Sequence, residues 1–126
     1  MASRRIERIN EQMKREIADI LRNEVRDPRI GTPVVTGVRT SSDLSVARIF
    51  IMTTGDEAAQ EQMFEGLRAA APYIRTELGR RMRLRKIPEL RFDRDKSLEY
   101  GMRIEKLLEQ TRTSTDGTDG NDDVES

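Results

Sequence analysis

The 126-residue chain contains no cysteine, no histidine and no tryptophan, and only three phenylalanines and two tyrosines. Without cysteine there are no disulfides and no thiolate metal sites, and without histidine the commonest metal ligand and general base is gone. Long apolar runs are missing as well. No stretch approaches the roughly 18 apolar residues of a membrane span, and residues 1–10 carry charge where a signal peptide would carry its apolar segment. There is no Walker loop and no glycine-rich phosphate motif of the kind nucleotide enzymes use. These absences predict a soluble, cytoplasmic protein, monomeric, without membrane partner, cofactor, metal or small-molecule substrate, and not an enzyme.

Charge is what the sequence has in quantity: 37% of residues are charged against 35% apolar, so a modest core of Ile, Leu, Val, Met and Ala is expected. The net charge of zero conceals a division along the chain. All 23 Lys and Arg lie between Arg4 and Arg112, where 18 acidic residues leave a balance of +5; Asp116, Asp119, Asp122, Asp123 and Glu125 supply the opposing −5. Residues 113–126 consist almost entirely of Ser, Thr, Gly, Asp and Asn, too polar to repay the entropy of ordering. The expected organisation is one basic domain over residues 1–112 and a disordered acidic tail over 113–126.

Periodicity divides the basic part. Ile6, Ile9, Met13, Ile17, Ile20 and Leu21 recur at helical spacing behind Ser3, a good N-cap, predicting a helix over 4–26 that Asp27 and Pro28 stop. Residues 34–40 and 45–54 read as strands joined by a turn over 41–44, hence an antiparallel hairpin. After Gly55 and Asp56 a second helix places Ala59, Met63, Leu67 and Ala70 on one face as far as Ala71. Proline is comfortable at the first position of a helix and unwelcome inside one, so Pro72 is expected to begin a new helix ending near Leu84. A third strand over 90–95 and a last helix over 98–110 complete the order. A helical crossover between the second and third strands favours their parallel pairing. The fold class is α+β: a small three-stranded mixed sheet packed with helices.

Two basic clusters stand out. On the first helix Arg4, Arg8, Arg15, Arg22 and Arg26 fall within roughly 40° of one another at 100° per residue, opposite the apolar stripe, as a phosphate-tracking face or a merely solvated one would. Arg75, Arg80, Arg81, Arg83, Arg85 and Lys86 form a denser group relieved only by Glu77, a concentration that suits a polyanion. Gly79, four residues from both Arg75 and Arg83, either admits a close phosphate or is simply tolerated. Asp93 and Asp95 on one strand face are the best two-carboxylate metal candidate, but Arg94 and Lys96 beside them suggest ion pairing instead.

Two segments resemble the ribosome-binding factor A family. Val35 to Phe50 is similar to that family's first hairpin, with its Ser-x-Asp-Leu turn at Ser41-Ser42-Asp43-Leu44. Ile74 to Phe92 combines Arg75, Gly79, Arg80, Arg83, Pro88 and Leu90 at the family's spacings, and the likeness continues through Asp95, Ser97 and Gly101-Met102-Arg103-Ile104. With the opening amphipathic helix it covers about residues 3–112. The resemblance implies a KH-like fold of the type II order and binding to the small (30S) ribosomal subunit and its 16S rRNA, assisting late maturation and growth in the cold without catalysis. KH domains ordinarily grip single strands with a GXXG loop between two helices; this family has an Ala-x-Gly bend there. Ala70-Ala71-Pro72 stands at that place with proline for glycine, and a bend is expected. On this reading Arg75, Arg80, Arg81, Arg83, Arg85 and Lys86 hold phosphates, and Arg4, Arg8 and Arg15 make a second contact, with Arg91 in addition. The competing class is a protein-interaction module whose basic faces bind an acidic partner.

Overall fold

The computed structural model describes residues 3–97. The expected last helix over 98–110, the Gly101-Met102-Arg103-Ile104 motif and the tail lie outside the described residues. The observed order is α1 (Arg4–Asn23), β1 (Val34–Thr40), β2 (Val46–Met52), α2 (Glu57–Arg81) and β3 (Glu89–Arg94).

Helix α1 starts where its cap dictates: the Ser3 hydroxyl accepts from the Ile6 N–H at 3.1 Å. All six apolar residues of the stripe are buried. The helix stops at Asn23 rather than near residue 26, because the N–H groups of both Glu24 and Val25 close onto the Ile20 carbonyl. Arg26 therefore leaves the helical face on which its periodicity would place it. The connection beyond is held locally, with the Arg29 guanidinium forked onto the Asp27 carboxylate at 2.7 to 3.2 Å and Gly31 supplying a positive φ of 66°.

Strands β1 and β2 form the expected antiparallel hairpin, with an irregularity in register between Val35 and Gly37. The hairpin turn is tightly bonded. The Asp43 carboxylate accepts from the Ser45 N–H and from the hydroxyls of Ser41 and Ser45. Those bonds, with a smaller contribution from the charge of Lys86, hold its pKa down to about 2. Leu44 takes a left-handed φ of 60°, a conformation that costs a leucine energy; the buried side chain offsets that cost.

Helix α2 begins at an Asp56 cap that accepts from the Ala59 N–H at 2.9 Å and continues through Pro72 as one 25-residue helix. The expected break into two helices at Ala70-Ala71-Pro72 is thus not present. Proline removes the N–H that would bond the Arg68 carbonyl, but Arg68 and Pro72 are both exposed, so water can satisfy the freed carbonyl. Met63 and Leu67 before the proline and Ile74 and Leu78 after it are buried on the same core, and that packing carries the helix across. Ala59, expected to face inward, is exposed.

β3 pairs parallel with β2, giving a sheet of order β1-β2-β3. One sheet face, with Val35, Ala47, Ile49, Ile51, Leu90 and Phe92, lies against the helices in a single core. Asn10 ties α1 to the end of β1, its Oδ1 accepting from the Thr40 N–H at 3.1 Å and hydroxyl at 2.6 Å. Gly66 lets the loop after α1 reach α2: a Cβ there would sit 2.7 Å from Ile30 Cγ1, whereas one at Gly79 would meet nothing closer than Ile87 at 3.5 Å.

These two glycines should respond oppositely to alanine. Gly66→Ala should lower stability by roughly 1–3 kcal/mol through overpacking, and Gly79→Ala should raise it by roughly 0.5–1 kcal/mol through helix propensity. Thermal melts of both variants check this; a Gly66→Ala protein that melts with the wild type would refute the close approach.

Candidate nucleic-acid interface

The Arg75 to Lys86 cluster, uniform in sequence, divides in space. Arg75 is turned onto the backbone that leads into β3, donating to the carbonyls of Ile87 at 2.8 Å and Pro88 at 2.9 Å. It fastens the loop after α2 to the helix. Arg81 is occupied more fully. Its guanidinium bonds Glu16 at 3.0 Å and Asp19 at 2.8 Å, reaches the Glu24 carboxylate, and lies 3.8 Å from Glu77. Its side chain is only 23% exposed, and the bonds to Asp19 and Glu16, with the charge of Glu24 in addition, raise its pKa above the ordinary arginine value. In return the bond from Arg81 lowers the Asp19 pKa. Arg81 joins α2 to α1, and Arg75 joins α2 to β3.

What remains outward is the end of α2 and the loop after it. Arg80 pairs only with Glu77, at 3.1 Å on an exposed side chain, a contact worth little. Arg83, Arg85 and Lys86 are exposed, and none has an ion-pair partner among the described residues. No acidic residue interrupts 82–88. The loop runs from Arg81, anchored on α1, to Glu89, whose N–H bonds the Ser45 carbonyl. Its cations therefore stand at the hairpin-turn end of the fold, where Lys86 is close enough to act on Asp43. The field there is that of three free cations on a short segment, suited to a chain of phosphates.

On α1, Arg4, Arg8, Arg15 and Arg22 are exposed and unpaired among the described residues. At 1.5 Å per residue Arg4 and Arg22 are about 27 Å apart along the axis. Glu11 interrupts that face. Arg91 lies elsewhere, on β3, paired with Glu89 at 3.1 Å. Asp93 bonds Arg48 on β2 at 2.6 to 2.7 Å, and Asp95 accepts from the Thr36 hydroxyl at 2.5 Å. Among the described residues no group of three or more acidic, His or Cys side chains is placed to hold a metal ion. None of the helices there is long and apolar enough to cross a membrane.

Sequence reasoning gave no notice of Arg39 and Arg48, both exposed on the sheet, nor of the carboxylates that capture Arg81. The available signal was the acidic group Glu16, Asp19 and Glu24 in the second half of α1 and just beyond its end.

The chain is similar to known proteins over most of its length. A family model described as ribosome-binding factor A matches residues 5–108. The chain is 46% identical over 109 residues to ribosome-binding factor A of Staphylococcus carnosus, covering 86% of this chain and 95% of that one. It is 48% identical over 105 residues to that of Staphylococcus saprophyticus, covering 83% and 92%. Among solved structures, the crystal structure of ribosome-binding factor A from Thermus thermophilus superposes with a TM-score of 0.66 at 28% identity, over 73% of this chain and 97% of the other. A homology model of the Thermus thermophilus protein, fitted into the cryo-EM map of a 30S–RbfA complex, gives a TM-score of 0.56 at 30% identity, over 69% and 91%.

Replacing Arg81 by Ala leaves the carboxylates facing one another uncompensated and should cost roughly 1–3 kcal/mol, while Arg83→Ala should leave the melting temperature unchanged. Because Asp19 has its pKa lowered by Arg81, its contribution is present above the ordinary value of 3.8 and lost as pH falls through the lower folded value. Melting curves between pH 6 and 2 should show a shallower acid decline in the Arg81→Ala variant; parallel declines would mean the pair contributes nothing.

Proposed function

The chain belongs to the ribosome-binding factor A family, and from that membership we propose that it binds the small ribosomal subunit through 16S rRNA and assists late maturation of the subunit, including in the cold, without covalent chemistry. The likeness to a relative placed in a 30S complex supports the partner. The observation that carries the RNA contact is the free basic loop. Arg83, Arg85 and Lys86 present exposed cations with no ion-pair partner among the described residues, and Arg80 at the helix end adds one held only by an exposed pair with Glu77. Arg4, Arg8 and Arg15 give α1 a second basic contact. Arg75 and Arg81 act by holding this loop in place. On composition, residues 1–112 are the RNA-binding domain and 113–126 an acidic tail separate from it.

Stabilisation of one RNA conformation follows from such a surface: phosphates held by a rigid array of cations are ordered relative to one another, and no bond need be made or broken. Each phosphate contact releases counterions, so log K falls by roughly 0.7 to 0.9 per contact for each tenfold rise in salt.

Changing Arg83, Arg85 and Lys86 together to Glu should leave far-UV circular dichroism and melting temperature near wild type, abolish binding to purified small subunits at physiological salt, and flatten the salt slope by about 2 to 3. A folded triple variant with wild-type affinity and slope would remove the loop from the interface.

A further inference from the structure

The sheet has a second face. β2 alternates Ala47, Ile49 and Ile51, buried, with Arg48, exposed, and Phe50, half-buried. On the latter face the register sets Arg39 of β1 opposite Arg48 and Arg48 opposite Arg91 of β3, so three arginines stand side by side across all three strands. With strands about 4.8 Å apart, the row is about 10 Å wide. Like charges directly opposite one another are unfavourable to a sheet. Arg39 has no ion-pair partner among the described residues. Arg48 pairs with Asp93 and Arg91 with Glu89, on the same face, through side chains 58% and 59% exposed on the arginine side; such pairs exchange readily with other anions.

The neighbouring row consists of Gly37, Phe50 and Asp93. A Cβ at Gly37 would meet nothing within 4 Å, so bare backbone adjoins the Phe50 ring. The Arg48 guanidinium lies over that ring at 5.9 Å from its centre. An aromatic ring beside open backbone, flanked by a row of cations on an exposed sheet, has the two elements that bind single-stranded nucleic acid: a stacking surface for a base and charges for its phosphates.

We propose that this open sheet face is a second RNA-binding surface, on which Phe50 stacks an unpaired base and Arg39, Arg48 and Arg91 hold the adjoining phosphates. The inference rests on the RNA-binding reading above and extends it to a side of the molecule remote from the sheet's helix-covered face. Glu89 and Asp93 are displaced from the guanidiniums when phosphates arrive. The protein would then be gripped by RNA from two directions, a duplex or strand along the basic loop and helix and a single strand on the sheet.

The test uses the full chain in two variants. The triple substitution Arg39→Gln, Arg48→Gln and Arg91→Gln should leave the melting temperature within a few degrees of wild type, weaken binding to purified small subunits and to protein-free 16S RNA at least tenfold, and flatten the salt slope by about 2. Because the chain has no tryptophan, Phe50→Trp supplies a single reporter, whose fluorescence should be quenched saturably by oligouridylate at low salt and not when the three glutamines are also present. Unchanged affinity and slope in the triple variant, or an unquenched tryptophan in a folded protein, would overturn the sheet site even where the loop variant loses binding. Weakened binding to whole subunits with undiminished binding to protein-free RNA would assign the face to a ribosomal protein and also overturn it. Failure of the wild type to bind either form would sink the RNA reading itself.

Discussion

The Arg81 guanidinium, set among Glu16 and Asp19 of α1, Glu24 just beyond its end and Glu77 of its own helix, fixes where the far end of α2 comes to rest. Everything outward of that point depends on it. The loop after the helix carries the free cations, and it is pinned at one end by Arg81 and at the other by the bonds of Arg75 to Ile87 and Pro88 and by the pairing of β3 with β2. A basic segment lacking those restraints would pay the entropy of ordering on every contact with RNA. Here the restraints belong to the fold, and the cations are presented already spaced.

This division of labour explains which parts of the structure were legible in the residue pattern. The apolar stripe of α1, the hairpin and the parallel third strand follow from periodicity and connection length, which are local properties. Pro72 was misleading because its local meaning is a helix boundary, while buried side chains on both flanks and an exposed ring at the proline let α2 continue. Gly66 was silent because the side chain it makes room for, Ile30, lies 36 positions earlier in the chain. The same limit applies to the cations. Arg81 and Arg83 are two residues apart and chemically identical, yet one is drawn inward by carboxylates 57 to 65 residues away and the other is free. Density of charge marked the segment but not its division; only the packing of α1 against α2 separates the arginines held by carboxylates from those left outward.

The sheet illustrates the converse. Its covered face packs against helices that sequence pattern reveals, but the row of Arg39, Arg48 and Arg91 exists only through the register of three strands, the third of which follows α2 in the chain. The two faces thus carry charge for different reasons: the loop concentrates it along the chain, the sheet across it. Both leave cations unused by the core, in a protein whose formal charge is zero.

The central claim is that the protein is held to the small subunit by phosphate contacts from cations the fold keeps free. Sedimentation of the full chain with purified small subunits through sucrose gradients of increasing salt measures this directly. The account predicts comigration at low salt and a steep loss of binding as salt rises, with log K linear in log salt at a slope set by several contacts. Comigration insensitive to salt would contradict it, as would a protein that stays at the top of the gradient under every condition.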